Sequence, residues 1–177
     1  MKYFAYDDKM LTIILQGILP EVRLIGIGQI RGYNLLFHNR DKIDQSGKCN
    51  LIKTQNNADA IYGVVYEVLP REKHKLDKAQ NLGYGNQEIT VKVMPVSDGA
   101  NNKESGLMEP GYAFTYVAHK DSIFEGLEPF SWYKNLVIEG AKEHCLPDIY
   151  IHYLQAIEAA VDSDKAREQQ NKQFMGK

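Results

Sequence analysis

The segment Ala60-Ile61-Tyr62-Gly63-Val64-Val65-Tyr66-Glu67-Val68 constrains the fold of this chain more than any other. Its β-branched and aromatic side chains follow one another without the polar alternation of a half-exposed strand, so both faces must be covered. Such a strand lies in the middle of a sheet, and the remainder of the chain has to supply its neighbours and its cover. The 177 residues suffice for one domain with a sizeable core and leave little room for two.

The neighbours are legible on either side. Tyr3-Phe4-Ala5-Tyr6 predicts a first strand that runs into a charged loop, Asp7-Asp8-Lys9. Dense apolar residues from Met10 to Leu19 predict a short buried helix that Pro20 stops. Arg23 to Gln29 and Tyr33 to His38 read as two strands separated at Arg31-Gly32. Asn39 to Asn57 reads as a polar loop crossed by a short strand at Cys49 to Lys53. Pro70 to Gln80 consists of helix formers and ends before Gly83 and Gly85. Glu88 to Val96 alternates as a half-exposed strand, Tyr112 to Ala118 supplies another, and Ser97 to Pro110 between them is a polar loop. Ser131 is expected to cap a helix whose Tyr133, Val137 and Ala141 share a face. Pro147 is expected to open a second, with Ile149, Tyr153, Ile157 and Val161 on one side. The polar stretch past Asp162 is expected to fray, giving a domain over 1–162 and a C-terminal tail over 163–177. Short strands followed by helices, with no repeat and no strand-helix alternation, predict an α+β fold with a strongly curved or barrel-like sheet.

Composition narrows the function classes. A formal net charge of −2 leaves no electrostatic footprint for a polyanion, so nucleic acid is not an expected partner. No apolar run approaches a membrane span, and Asp7-Asp8 follow the first short apolar run too soon for a secretory signal. Cys49 and Cys145 are far apart and lack the local partners of a zinc site, so no metal is expected and a reducing, cytoplasmic setting is. His144 beside Cys145 could suggest a nucleophile and its base, but adjacent residues on a helix point in different directions, and buried structural thiols are the simpler reading.

Four stretches, in order, then carry a resemblance over nearly the whole chain: Tyr3-Phe4-Ala5-Tyr6, Ser46-Gly47-Lys48-Cys49-Asn50, Ile61 through Val68, and Trp132-Tyr133-Lys134 through Gly140-Ala141-Lys142-Glu143 to Leu146-Pro147. Together they resemble the γ-glutamylcyclotransferases. The resemblance implies a small mixed β-barrel flanked by helices, with a pocket at one end for a γ-glutamyl group. Such enzymes use no cofactor: the deprotonated α-amine adds to its own γ-carbonyl, releasing 5-oxoproline and a free amine. Holding the substrate folded supplies much of the rate, and a carboxylate moves the proton.

The chain departs from that pattern twice. Where the family follows its first strand with Tyr-Gly-Ser-Asn, a loop that wraps the glutamyl carboxylate, this chain has Tyr6-Asp7-Asp8-Lys9. Losing the glycine threatens any positive-φ conformation there, and two carboxylates would face a carboxylate ligand with only Lys9 to compensate. In Leu76-Asp77-Lys78-Ala79-Gln80-Asn81 the resemblance puts Gln80 at the catalytic Glu, Asn81 at the Gly after it and Asn86 near a Tyr. An amide keeps the shape but cannot shuttle a proton near neutrality, which predicts that Gln80 is inactive in this role. Tyr6, Tyr116 and Tyr133 match pocket positions of the family, and equally suit core aromatics with hydroxyls at the surface. With Asp7, Asp8 and Lys9 they complete the expected substrate-binding set.

Three readings follow. In the first, the barrel is a non-catalytic module for a small γ-glutamyl or amino-acid-like ligand, or for a protein partner. In the second it is an active enzyme on a changed substrate, its acid relocated to Asp7, Asp8, Asp77 or Glu88, although a solvated acidic turn explains Asp7-Asp8 as well. In the third, Ile123 through Phe130 forms an exposed contact rather than a cover for the barrel.

Overall fold

In the computed structural model, which describes residues 1–96 and 109–174, seven strands and five helices follow in the order β1 (Lys2–Ala5), α1 (Thr12–Ile18), β2 (Arg23–Arg31), β3 (Tyr33–Arg40), β4 (Gly47–Lys53), β5 (Ala60–Glu67), α2 (Lys73–Ala79), β6 (Asn86–Pro95), β7 (Gly111–Ala118), α3 (Ser131–Glu143), α4 (Asp148–Ala156) and α5 (Lys165–Lys172). Five strands close into a barrel in the order β1-β5-β2-β6-β7, and β3 with β4 forms a separate two-stranded sheet. The expected loop over 97–110 lies, apart from its last two residues, outside the described residues.

The central strand behaves as its composition requires. β5 pairs antiparallel with β1 on one side, Phe4 opposite Val65, and with β2 on the other, Ile27 opposite Val64. Val64, Val65 and Tyr66 are buried. Gly63 is where the wall can bear no side chain, since a Cβ there would lie 2.3 Å from the Ala5 carbonyl oxygen and 2.7 Å from the Phe4 ring. Closure comes from the parallel pairing of β1 with β7, where Tyr3 meets Phe114, and from the Thr115 hydroxyl, which donates to the Phe4 carbonyl at 2.7 Å.

α3 packs on a 3-10 turn, Asp8–Met10, that follows β1. Gly140 permits this contact: a Cβ on it would meet the Leu11 nitrogen at 2.7 Å and the Met10 Cβ at 2.8 Å. Tyr133, Val137 and Ala141 form the buried face of α3, as their spacing predicts.

The helical third of the chain also differs from expectation. Ser131 is the first residue of α3 and makes no capping bond, because Phe130 occupies the N-cap. α4 starts after Pro147 and buries Tyr150 and Leu154, while Ile149 is 78% exposed and Val161 71%. The helix ends at Ala156 and Ile157 is extended, so Ile157 and Val161 cannot continue a helical face. The stretch expected to fray is a helix, α5. Asp164 caps it through the Ala166 and Arg167 N–H groups, and the buried Asp162 carboxylate takes bonds from Trp132 Nε1 (2.8 Å), Arg167 Nε (2.7 Å) and Arg167 Nη2 (2.6 Å). Cys145 is exposed rather than buried, whereas Cys49 is buried.

Candidate functional site

A cavity of about 240 Å³ opens at one end of the barrel, between the loop after β1, the end of α2 and the start of α3. Every residue anticipated for the site lines it: Tyr6, Asp7, Asp8, Lys9, Gln80, Tyr116 and Tyr133.

Asp7, two residues past β1, is the N-cap of the 3-10 turn with φ −110°, an ordinary extended conformation, so the absence of glycine imposes no strain. Its Oδ1 accepts the Lys9 N–H at 3.0 Å and so caps the 3-10 turn; its Oδ2 accepts from Gln80 Nε2 at 3.0 Å. Lys9 Nζ lies 2.8 Å from Asp8 Oδ1 and 3.9 Å from Asp7 Oδ2. Burial pushes the Asp7 carboxyl above its usual range, against the pull of Lys9. Burial also works against the Lys9 charge, but Asp8 and Asp7 outweigh it and hold the ammonium protonated well beyond its ordinary value.

Gln80 caps the C-terminal end of α2 and is 6% exposed. Both protons of its amide are used: Nε2 donates to Asp7 and, at 3.2 Å, to the Tyr3 hydroxyl. The amide is therefore oriented by its partners. Asn81 follows with φ 51°, a left-handed turn that Asn tolerates and where the resemblance has Gly. Asn86 fixes the turn from the other side, donating to the Gln80 carbonyl at 2.7 Å while accepting from Asn39 at 2.9 Å.

The tyrosine hydroxyls turn inward and do not reach for bulk water. Tyr6 donates to the Tyr116 carbonyl at 2.6 Å, Tyr116 to Asp77, and Tyr133 accepts the Cys49 N–H at 3.3 Å. Of the four acids considered as relocated proton carriers, Asp7 and Asp8 line the cavity. Asp77 and Glu88 instead grip Lys73, each at 2.6 Å. His144 is turned from Cys145 toward the Met10 carbonyl and the Tyr66 hydroxyl, both 2.9 Å from Nε2. Ile123 bridges to Asn39, and Arg40 lies over Phe124, so this stretch partly covers the small sheet.

Sequence reasoning missed three contributors. Lys48, already within the quoted Ser46-to-Asn50 motif, sits 4.8 Å above the Trp132 ring and 4.7 Å above Tyr133 while paired to Asp44 at 2.6 Å. Tyr3 holds Gln80 from the core. Asn171 reaches the cavity from α5, and nothing in its polar surroundings signals that.

No group of three or more His, Cys, Asp or Glu side chains suited to a metal occurs among the described residues. Nor, among them, is any helix long and apolar enough to cross a membrane.

A closed five-stranded barrel with flanking helices and a polar cavity is the fold that the resemblance to the γ-glutamylcyclotransferases implies. The comparisons agree. The AIG2-like family model matches residues 60–154, and the chain belongs to that family. It is 24% identical over 158 residues to the human γ-glutamylcyclotransferase, a match covering 88% of this chain and 78% of the relative; the bovine protein matches over the same length at 23%. A solved structure of a γ-glutamyl cyclotransferase superposes with a TM-score of 0.80 at 23% identity, covering 98% of each chain. The crystal structure of an uncharacterized human protein superposes at 0.77, also 23% identical, covering 97% of each.

Proposed function

We propose that this protein is a non-catalytic γ-glutamylcyclotransferase-like module that binds a small amino-acid-like ligand in the barrel-end cavity, in a cytoplasmic setting consistent with the scarcity of cysteine in the sequence. The observation that carries the reading is the Gln80 amide. It is buried, oriented by Asp7 and Tyr3, and lies where the resemblance has the proton-moving Glu. Cyclisation needs the α-amine deprotonated before it attacks the γ-carbonyl, and the leaving amine protonated afterwards. A carboxamide does neither near neutral pH. Asp7 is the nearest acid, but both of its oxygens already accept hydrogen bonds from the protein.

The relatives named γ-glutamylcyclotransferase make 5-oxoproline release the activity to test. Wild type is expected to be silent on a panel of γ-glutamyl amino acids and amines, and Gln80→Glu to gain turnover if the pocket retains its substrate geometry. Enzyme-like turnover by wild type would overturn the reading and move the proton transfer to the Asp7-Asp8 pair.

A further inference from the structure

Lys9 is not the only cation on the cavity. Its rim is built by the end of β3, the turn that follows and the start of β4, and these bring Arg40, Asp41, Lys42 and Lys48 to the lining. The rim charges differ in how they are used. Lys48 is paired with Asp44 at 2.6 Å. Asp41 turns its Oδ1 back on its own turn, where it accepts the Ile43 N–H at 2.8 Å and the Asp44 N–H at 3.0 Å. Arg40 and Lys42 are exposed, and neither has a carboxylate within 4.0 Å among the described residues. Lys42 Nζ donates to the Tyr84 carbonyl at 2.6 Å, a neutral partner that leaves its charge uncompensated. The Arg40 guanidinium lies over the Phe124 ring, 4.8 Å from its centre, and donates no hydrogen bond among the described residues. An arginine steadied by an aromatic ring keeps its fork of N–H donors for a planar carboxylate and has less freedom to lose on binding one. With Lys48 paired, Arg40 and Lys42 stand against Asp41 alone, so the rim carries one positive charge in excess.

We infer that the rim is a carboxylate subsite, with Arg40 as the residue that recognises the anion and Lys42 as a supporting charge. The ligand it selects is an amino-acid-like compound with an acidic group beyond the part held in the buried recess, such as a γ-glutamyl compound joined to a residue with an acidic side chain. This rests on the binding-module reading and names the class of ligand for that site.

Titration calorimetry with γ-glutamylglutamate and γ-glutamylglutamine tests it, since the two differ only in a carboxylate against a carboxamide. Wild type is expected to bind γ-glutamylglutamate roughly tenfold tighter, the value of one charge-assisted hydrogen bond at an exposed rim, and the preference should shrink as salt rises. Arg40→Gln should abolish the preference by weakening γ-glutamylglutamate about tenfold while leaving γ-glutamylglutamine unchanged, whereas damage to the fold would weaken both. Equal binding of the two by wild type, or a preference that survives Arg40→Gln, overturns the inference and leaves the module reading standing. If neither binds, both fall. Release of 5-oxoproline from either would overturn the non-catalytic reading alone, provided the Arg40-dependent preference persists in kcat/KM.

Discussion

Asp7 and Gln80 form the pair on which the chemistry of this site turns, and their protonation behaviour can be forecast. Burial raises the Asp7 pKa in the fold, so its contribution to stability is fully present below the unfolded carboxylate range and is lost as pH rises through the folded value. Asp7→Asn keeps a good cap on the 3-10 turn and removes that loss. The variant is expected to be more stable than wild type near pH 7, with the difference shrinking as pH falls through the folded value and gone below about 4; urea titrations across that range would show it. Gln80→Glu should do the reverse. It would set two carboxyl groups at the 3.0 Å contact now made by an amide, and the pair would then share a proton at neutral pH. The variant should lose about 1–3 kcal/mol relative to wild type at pH 8 and little near pH 4. Readability at this scale was uneven. Gln80, Asn81 and Asp7 announce themselves as breaks in a motif. That Asp7 would also hold the Gln80 amide does not, because the two lie 73 positions apart.

At the scale of elements, two contacts hold the cavity's surroundings in register. α3 approaches the site loop only because Gly140 has no side chain, so Gly140→Ala must push the Asp8–Met10 turn outward. A loss of about 1–3 kcal/mol is expected by urea denaturation, the usual cost of overpacking. The second contact is the clasp of α5. Arg167 holds the Asp162 carboxyl down to about 2, so the clasp contributes stability above the unfolded carboxylate range and is lost as pH falls through that value. Arg167→Ala is expected to release α5, seen as faster amide exchange from Lys165 to Lys172 with the barrel strands unchanged, and wild type should approach the same state between pH 4 and pH 2. Neither contact is visible in sequence patterns. α5 is polar throughout, and its anchor is one buried ion pair rather than an apolar stripe. α4 misled for the opposite reason: Ile149 and Tyr153 have helical spacing, but so do Tyr150 and Leu154 one position on, and it is the second pair that enters the core.

The whole molecule is a barrel closed between its first strand and its last. The continuous apolar run of β5 made a buried central strand legible, and alternation located β6 and β7. A barrel was expected, but which strands close it was not legible, because β2 and β6 meet over only two residue pairs, Gly28 with Pro95 and Gln29 with Met94, and β1 meets β7 over one. Contacts so few and so distant leave no local pattern. They also have a consequence for how the protein is made. Thr115 and Phe4 stand 111 positions apart, so a chain leaving the ribosome carries β1 for most of its synthesis before β7 exists to meet it. β5 can cover one edge of that strand earlier, but the other stays open until translation has passed Ala118. An open strand edge is an invitation to pair with the wrong chain, and closing a loop of this length is slow. The nascent protein is therefore vulnerable to aggregation through the middle of its synthesis, when four strands of its barrel have been made and its seam has not.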